Sequence, residues 1–328
     1  MVTLKDIAAK VGYSQSIISR ALNNKPIVKD STRELIVRVA REMGYYPNRA
    51  ARSLINHKTE AIGIIMTSFS DVDYAPVING LQFANQAGFT LIFSNSYQNQ
   101  LYEKLLNRVD GLIIFSNHIK DRNRIRKLIG LEIPLVLVES SLPDVKANCI
   151  WVDNVHGGYI ATKHLIQLGH TRIAHLTGNL KYQVLFDRLE GYQKALSESD
   201  IPLRPDLIIS GNYSSADGYR AMKYVLAHRL YFTAVFAASD QIAFGVLQAF
   251  QEAGLSVPGN ISIIGYGDIE FSRYTNPPLT TVRQSRFEMG EKALTILMLD
   301  LQNRFTGKEG TKIRLAPELM IRSTTNRL

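Results

Sequence analysis

The chain holds a single cysteine, Cys149, which excludes an intramolecular disulfide and fits a reducing cytoplasm. Its expected role is that of a small apolar filler. Long apolar runs are also lacking. Uninterrupted ones reach five or six residues, as around Leu135-Val136-Leu137-Val138, against the ~20 that a bilayer-spanning helix needs. No transmembrane helix is expected. The N-terminus carries Asp6 and amphipathic patterns where an export signal would carry an apolar core, so export is not expected either. His156, His164, His170 and His175 lack the spacing and the acidic companions of a metal site, and are read as solvated helix and loop residues. No Ser/His/Asp or Cys/His set assembles, so no catalytic residue is expected and the chain is read as a non-enzyme. Gly265-Tyr266-Gly267 lacks the third glycine of a dinucleotide fingerprint and follows a late strand, so no nucleotide cofactor is expected. There is no internal repeat and no low-complexity tract.

Positive charge is concentrated at one end. Residues 1–58 hold 11 Lys+Arg against 4 Asp+Glu, so +7 of the formal +9 lies there and the remaining 270 residues carry only +2. Such asymmetry points to a polyanionic partner. The same segment patterns as short helices. Leu4, Ile7, Ala8 and Val11 stand at i, i+3, i+4 and i+7, one apolar face. Gly12-Tyr13 breaks that helix, and Ser14 is placed to cap a second over Gln15 to Leu22, with Ile17, Ile18, Ala21 and Leu22 inward and Gln15, Ser16 and Arg20 outward. Two helices on a tight Gly-containing turn form a helix-turn-helix. Ser31-Thr32-Arg33-Glu34 is spaced as a capping box for a third helix, which Gly44 ends.

With 328 residues, 45% of them hydrophobic, two or three packed domains are expected. From Ala61 onward strand and helix patterns alternate, the mark of parallel sheets flanked by helices. Strands are predicted at Ile62–Met66, Thr90–Phe93, Gly111–Phe115, Leu135–Val138, Ile173–Thr177, Leu207–Ile209, Ala234–Ala237 and Ile261–Tyr266. Helices are predicted at Val77–Ala87, Gly158–Leu168, Leu189–Ser197, Ala216–Ala227, Gln241–Ala253 and Met289–Leu301. Two doubly wound lobes with a ligand crevice at the strand C-termini fit this order.

Specific residues carry a wider resemblance: Thr3-Leu4-Lys5-Asp6-Ile7-Ala8, Val11-Gly12, Ser19-Arg20-Ala21-Leu22-Asn23, Gly44-Tyr45 and Pro47-Asn48, then Val109-Asp110-Gly111-Leu112-Ile113-Ile114, Ile133-Pro134, Asp187-Arg188-Leu189-Glu190-Gly191-Tyr192, Asp240-Gln241-Ile242-Ala243-Phe244-Gly245 and Pro278-Leu279-Thr280-Thr281-Val282. In order and spacing the chain resembles the LacI/GalR family of bacterial transcription repressors along its full length. The resemblance implies an α/β fold: an N-terminal helix-turn-helix at 1–46, a hinge helix or linker at 47–58, and a two-lobed, periplasmic-binding-protein-like core of doubly wound parallel sheets at 59–328. The first lobe would take about 59–156 and 287–313, the second about 157–286 and 314–328, with crossovers near 155–160, 284–288 and 313–316. It also implies that paired hinge helices enter the minor groove with Leu54 as a wedge. A helix as short as 49–55 is marginal alone, and is expected to stay frayed until DNA orders it.

Gln15, Ser16 and Arg20 are the candidate base readers, each good bidentate contact discriminating by ~1–3 kcal/mol. Arg20 could instead hold a phosphate, adding affinity without sequence preference. Tyr13, Asn23 and Lys5 are expected on the backbone, and the resemblance adds Thr3, Ser14, Ser19, Asn48 and Ala51 to the DNA-contacting set. Two-fold symmetry would make the double-stranded operator roughly palindromic. With no heptad tail after Arg322, a homodimer is expected.

In the crevice, Arg188 matches the family's effector-binding arginine, its alternative being a surface ion pair with Asp187 or Glu190. Three departures from the sugar-binding pattern stand out: Ser239 precedes Asp240 where Asn is usual, Gly267 precedes Asp268 where Asp is common, and His156 lies near an often acidic position. They favour an anionic effector, a sugar acid or sugar phosphate, over a neutral oligosaccharide held by Tyr213, Ser239, Asp268 and Gln284. The stretch Ser94–Asp110 is about ten residues shorter than the family's usual connection, which shortens a loop or widens one mouth of the cleft. The expected function is that of a repressor whose operator affinity a carbohydrate-type effector lowers. The alternatives are corepressor-dependent regulation and an exported-type solute-binding module.

Overall fold

Thr3 starts the first helix for a local reason. Its hydroxyl accepts from the Asp6 N–H, while the Asp6 carboxylate accepts from the Thr3 N–H at 2.8 Å, a reciprocal cap on α1 (Leu4–Val11). Gly12, at φ +74°, ends it in the left-handed region where L side chains are strained. The Ser14 hydroxyl caps α2 (Gln15–Leu22), and α3 (Asp30–Glu42) crosses both. Ile7, Ile18, Ala21, Val28, Ile36 and Ala40 are buried together as the small core these helices share.

The computed structural model describes residues 2–23, 25–45, 58–66, 74–94, 105–115, 122–130, 133–139, 145–302 and 310–328. Asn48, Ala51 and Leu54, with the rest of 47–57, lie outside the described residues, as do 95–104 of the shortened connection. Two compact units divide the chain at Met1–Thr59 and Glu60–Leu328.

One correction concerns α3. Ser31 does not cap it; Lys29 is the capping residue, without a side-chain bond, and the helix begins at Asp30. Arg33 supplies the order expected of a cap. It pairs with Asp30 three residues back and donates to the carbonyls of Val28 (2.9 Å) and Lys25 (3.1 Å), closing the turn before the helix.

The second unit is built on two six-stranded sheets. The first contains β1 (Ala61–Ile65), β2 (Thr90–Ser94), β3 (Gly111–Phe115), β4 (Leu135–Val138), β5 (Asn148–Val152) and, at its edge, β11 (Lys312–Leu315), in the order β11-β5-β4-β3-β1-β2. The second contains β6 (Ile173–Gly178), β7 (Ile208–Ser210), β8 (Ala234–Ala237), β9 (Ser262–Gly267), β10 (Thr280–Arg283) and β12 (Glu318–Met320), in the order β12-β10-β9-β8-β6-β7. Every pairing is parallel except β10 with β12. Alternate residues of a strand serve opposite faces: Ile62, Ile64, Ile113 and Phe115 pack on one side of the first sheet, Ala61, Ile65, Leu112 and Ile114 on the other. Cys149 is buried in the latter cluster.

Helices cover both sheets. The described ones are α4 (Ala75–Ala84), α5 (Arg122–Ile129) and α10 (Arg286–Leu301) with the first lobe, and α6 (Asn154–Gln167), α7 (Gln183–Ser197), α8 (Ser215–Ala227) and α9 (Asp240–Glu252) with the second. Three helix pairs pack backbone to backbone through facing glycines: Gly80 and Gly290, Gly158 and Gly191, Gly218 and Gly245. A β-carbon on any of them would collide with a carbonyl of the partner helix. The chain passes between lobes after β5, between β10 and α10, and between β11 and β12.

The histidines overturn the expectation of solvation, except His156, which is exposed. His175 is fully buried, stacked on Phe236 (centroids 4.4 Å apart) and Tyr192 (5.0 Å), and burial lowers its pKa to about 4. His170 is held by Thr233 at 2.9 Å and by Ser262 and the Asn326 carbonyl at 3.0 Å, and His164 meets Thr325 at 3.0 Å. These two fasten the last residues of the chain to the second lobe. The rings of His164 and His170 are buried where their nitrogens find partners, which solitary histidines in a sequence do not reveal.

Candidate functional site

The first unit presents one polar helix face. Gln15, Ser16 and Arg20 are exposed on α2, and Lys5, Tyr13 and Ser14 are exposed near it. Ser14 and Thr3 spend their hydroxyls as helix caps. Asn23 donates to the Ser19 carbonyl at 2.8 Å, which fixes the C-terminal end of α2 and leaves Ser19 half-buried. Ile18 and Ala21, one helical turn around, anchor the same helix in the core. The arrangement therefore offers a rigid helix with two amide- or guanidinium-bearing side chains and a hydroxyl pointing out, beside an excess of cations. That is the donor and acceptor set that reads base edges in a major groove.

In the second unit a cleft of about 730 Å³ opens where the two lobes meet. Ala75, Pro76 and Asn79 of α4 line it from one side, Gly267 to Phe271 and Arg273 from the other, and Arg283 to Glu288 along the crossover. Asp268 and Gln284 of the expected effector set are brought together here. Gln284 is 6% exposed, and its amide nitrogen is buried without a hydrogen-bond partner. A buried amide donor left open in a cleft is an unanswered polar group, and a ligand oxygen would answer it.

Asp268 has a different role from the one expected. Its carboxylate is 2% exposed and is gripped by Arg283 at 2.7 Å and by Arg322, with Arg273 at 4.0 Å. Both oxygens are thus spent on guanidiniums, so Asp268 holds the wall of the cleft and is not an open acceptor. Gly267, at φ +137°, stands in a region that a side-chain-bearing residue rarely adopts. A carboxylate at that position would need another backbone path.

Arg188 is neither a surface ion-pair partner nor a lining residue of the cleft. The helix carrying it starts at Gln183, six residues before the predicted Leu189, so Arg188 points inward from the second turn of α7 and is 2% exposed. Its Nε donates to Asn154 Oδ1 at 2.9 Å and its Nη1 to the Ala238 carbonyl at 2.6 Å, with the guanidinium carbon 3.7 Å from the Tyr266 ring centroid. Burial raises the Tyr266 hydroxyl to about 12, with the Arg188 cation pulling the other way. This cluster forms the C-terminal end of the second sheet. Ser239 follows Ala238, is 1% exposed, and uses its hydroxyl to cap α9. His156 is on the exposed side of α6, in its first turn, its ring 6.3 Å from that of Tyr159. Tyr213 packs half-buried on the second-lobe core. Arg188, Ser239, His156 and Tyr213 therefore lie away from the lining of the cleft.

The roles of two buried carboxylates escaped sequence reasoning. Glu139, just past β4, pairs with Arg286 at 3.1 Å, both side chains under a tenth exposed. Asp240 accepts from the Ile269 N–H (2.9 Å), Ser272 (2.7 Å) and Thr281 (2.5 Å), tying α9 to the loop after β9. The signal that could have exposed the first is Arg283-Gln284-Ser285-Arg286, two cations bracketing a polar pair directly after a strand.

Comparison with known proteins decides the family. Residues 3–48 match "Bacterial regulatory proteins, lacI family", and residues 162–325 match "Periplasmic binding protein-like domain". The ribose operon repressor of Haemophilus influenzae is 36% identical over 310 residues, covering 92% of this chain and 93% of that one. The chain belongs to the lacI family. The transcriptional repressor PurR of Histophilus somni is 33% identical over 338 residues and covers both chains in full. Among solved structures, the lac repressor dimer bound to operator and the anti-inducer ONPF superposes with a TM-score of 0.89 at 28% identity, covering 99% of each chain. A lacI-family regulator from Enterococcus faecium with bound ribose gives 0.74 at 29% identity, covering 82% of this chain and 99% of that one. The lacI-family protein described here is a DNA-binding transcriptional repressor with a ligand-binding core.

Proposed function

We propose that this repressor binds a roughly palindromic operator as a homodimer in the cytoplasm and releases it when a small neutral carbohydrate fills the cleft between its lobes. The observation that carries the ligand reading is Gln284, a residue lining a cleft large enough for a sugar, whose amide nitrogen is buried without a hydrogen-bond partner. Most of the charges that line that cleft are held in ion pairs. Arg283 and Arg286 are committed to Asp268 and Glu139, and Glu288 pairs with Lys292 at 3.4 Å. A net anion would gain little from guanidiniums already committed to carboxylates, whereas hydroxyl groups can share these donors and acceptors.

A second reading, a sugar acid or sugar phosphate, draws on Arg188. Its partners among the described residues are an amide, a carbonyl and an aromatic ring, so its charge is not cancelled by a carboxylate in contact. Arg188 is 2% exposed and is not among the residues lining the cleft, which is why the neutral ligand is preferred.

On the DNA side, Gln15, Ser16 and Arg20 read bases, with Lys5, Tyr13 and Asn23 on the backbone. Leu54 of the 47–58 hinge wedges the minor groove, and effector binding changes the spacing of the paired hinges. Selection of duplexes from a random pool by the full-length protein tests the operator. A palindrome with a deformable central step is expected; enrichment of no motif would refute base reading. Titration of the selected duplex complex with D-ribose, ribose 5-phosphate and ribonate tests the ligand class. Release by the neutral sugar is expected, and release by the anions alone would decide for the second reading.

A further inference from the structure

The crossover between β10 and α10 is pinned at both ends. On one side Arg283, the last residue of β10, grips Asp268 at 2.7 Å and Glu318 at 3.3 Å, so the end of β10 is fixed to β9 and to the start of β12. On the other side Arg286, the first residue of α10, grips Glu139 at the end of β4. Both central carboxylates follow a strand in the left-handed region, Glu139 at φ +59° and Asp268 at φ +52°. Non-glycine residues hold that conformation only where their surroundings impose it. Each lobe thus ends in a constrained carboxylate, and each carboxylate holds one arginine of the same short segment.

Only Gln284 and Ser285 lie between the anchors. Ser285 has φ −72° and ψ +60°, and the Arg286 N–H donates to the Gln284 carbonyl at 2.7 Å, the geometry of an inverse γ-turn. The Ser285 carbonyl is also engaged, accepting from Met289 at 2.9 Å. That leaves Gln284 between the end of β10 and the turn, a residue that lines the cleft and whose amide nitrogen is buried without a hydrogen-bond partner.

We infer that Gln284 is the pivot through which a cleft ligand sets the angle between the lobes, and that Arg283 and Arg286 are positioning residues that confine the pivot to it. The inference rests on the reading that the cleft holds the effector. A ligand oxygen accepting from Gln284 then acts on the hinge directly, without a relay through either core. If either anchor is removed, the strand end beyond it is freed, rotation spreads over more residues, and ligand binding ceases to select one angle.

The test measures the angle in the full-length protein. Spin labels are placed at the exposed positions Ala87 of the first lobe and Arg229 of the second, in a Cys149→Ala background, with labelled subunits diluted in unlabelled ones. Pulsed dipolar spectroscopy without ligand should give a narrow distance distribution for the parent. The distribution should broaden roughly twofold for the paired removal Glu139→Leu with Arg286→Met, and for Arg283→Met. Arg286→Lys, which keeps the charge, should stay near the parent width, and Arg283→Met carries the test if the paired variant does not fold. Parental widths in Arg283→Met and in the paired variant, where it folds, would overturn the inference. D-ribose serves as probe for the ligand arm: it should narrow the distribution further in the parent and not in Gln284→Leu. Narrowing in Gln284→Leu as well would overturn the pivot. Failure of ribose to bind the parent by calorimetry would count against the ribose-type reading of the cleft, while the ligand-free widths still decide the pivot.

Discussion

Arg188 lies over the ring of Tyr266, its guanidinium carbon 3.7 Å from the ring centroid, and its two hydrogen bonds join α7 to Asn154 of α6 and to the end of β8. One side chain thus ties two helices and two strands together. Lysine carries the same charge but not the planar fork or the stacking face. Arg188→Lys should therefore lower the unfolding free energy by about 2–4 kcal/mol, the sum expected for a desolvated cation–π contact and a charged hydrogen bond. Urea unfolding of the full chain checks this. A change below ~0.5 kcal/mol, the scale of surface substitutions, would mean that the cluster contributes no stability.

Gly191 sets how closely α7 approaches α6, since a β-carbon there would meet the Val155 carbonyl, which is backbone and cannot turn aside. Gly191→Ala must force the helices apart. A loss of about 1–3 kcal/mol is expected from such overpacking, together with displacement of Arg188 from Asn154. Thermal unfolding reports the first, and the near-ultraviolet circular dichroism of Tyr266 and its neighbours reports the second.

The central strands were legible because parallel sheets bury both faces, so Ile113-Ile114-Phe115 and Leu135-Val136-Leu137-Val138 stand as continuous apolar runs. The edge strands were not. Lys312-Ile313-Arg314-Leu315 and Glu318-Leu319-Met320 are short and half polar, and Thr280-Thr281-Val282-Arg283 spends its threonines on hydrogen bonds to Asp240 and to the C-terminal segment. The cleft was legible only in part, for the same reason. Asp268 and Gln284 both line the cleft, but whether a carboxylate is open or consumed depends on Arg283 and Arg322, and Arg322 lies 54 residues away in sequence. Nor does the motif around Arg188 say how far that residue is exposed, which in the structure is 2%.

Arg20 and Ser16 share the exposed face of α2, one turn apart and opposite buried Ile18. If both read bases, replacing Arg20 by alanine should weaken the preferred operator by about 1–3 kcal/mol and relax selectivity at one base pair in each half-site. If Arg20 holds a phosphate, all duplexes should weaken alike and the salt dependence should fall by about one counterion. Equilibrium binding to a set of single-base operator variants, at two salt concentrations, separates the outcomes.

His175 makes stability depend on pH with a definite sign. In the unfolded chain its imidazole takes up a proton near the ordinary 6.5, whereas in the folded lobe burial holds it neutral down to about 4. Between those values the unfolded state binds more protons, so stability rises with pH and is lost as the solution is acidified. The gap corresponds to roughly 3 kcal/mol for this one fully buried group. His164 and His170, lowered by burial as well, act with the same sign. Asp187 and Asp300 are raised by burial and act oppositely, losing their contribution as pH rises through their own titration. The comparison that isolates His175 is therefore between the parent and His175→Asn, whose amide nitrogen takes the place of the Nδ1 that meets the Phe236 carbonyl at 2.9 Å. The parent should hold its largest advantage at pH 7 and surrender about 3 kcal/mol of it by pH 4, followed by urea unfolding at each pH. A constant difference from pH 7 to 4 would mean that the folded lobe accepts the proton as readily as water does, and that the stack with Phe236 and Tyr192 opens to solvent.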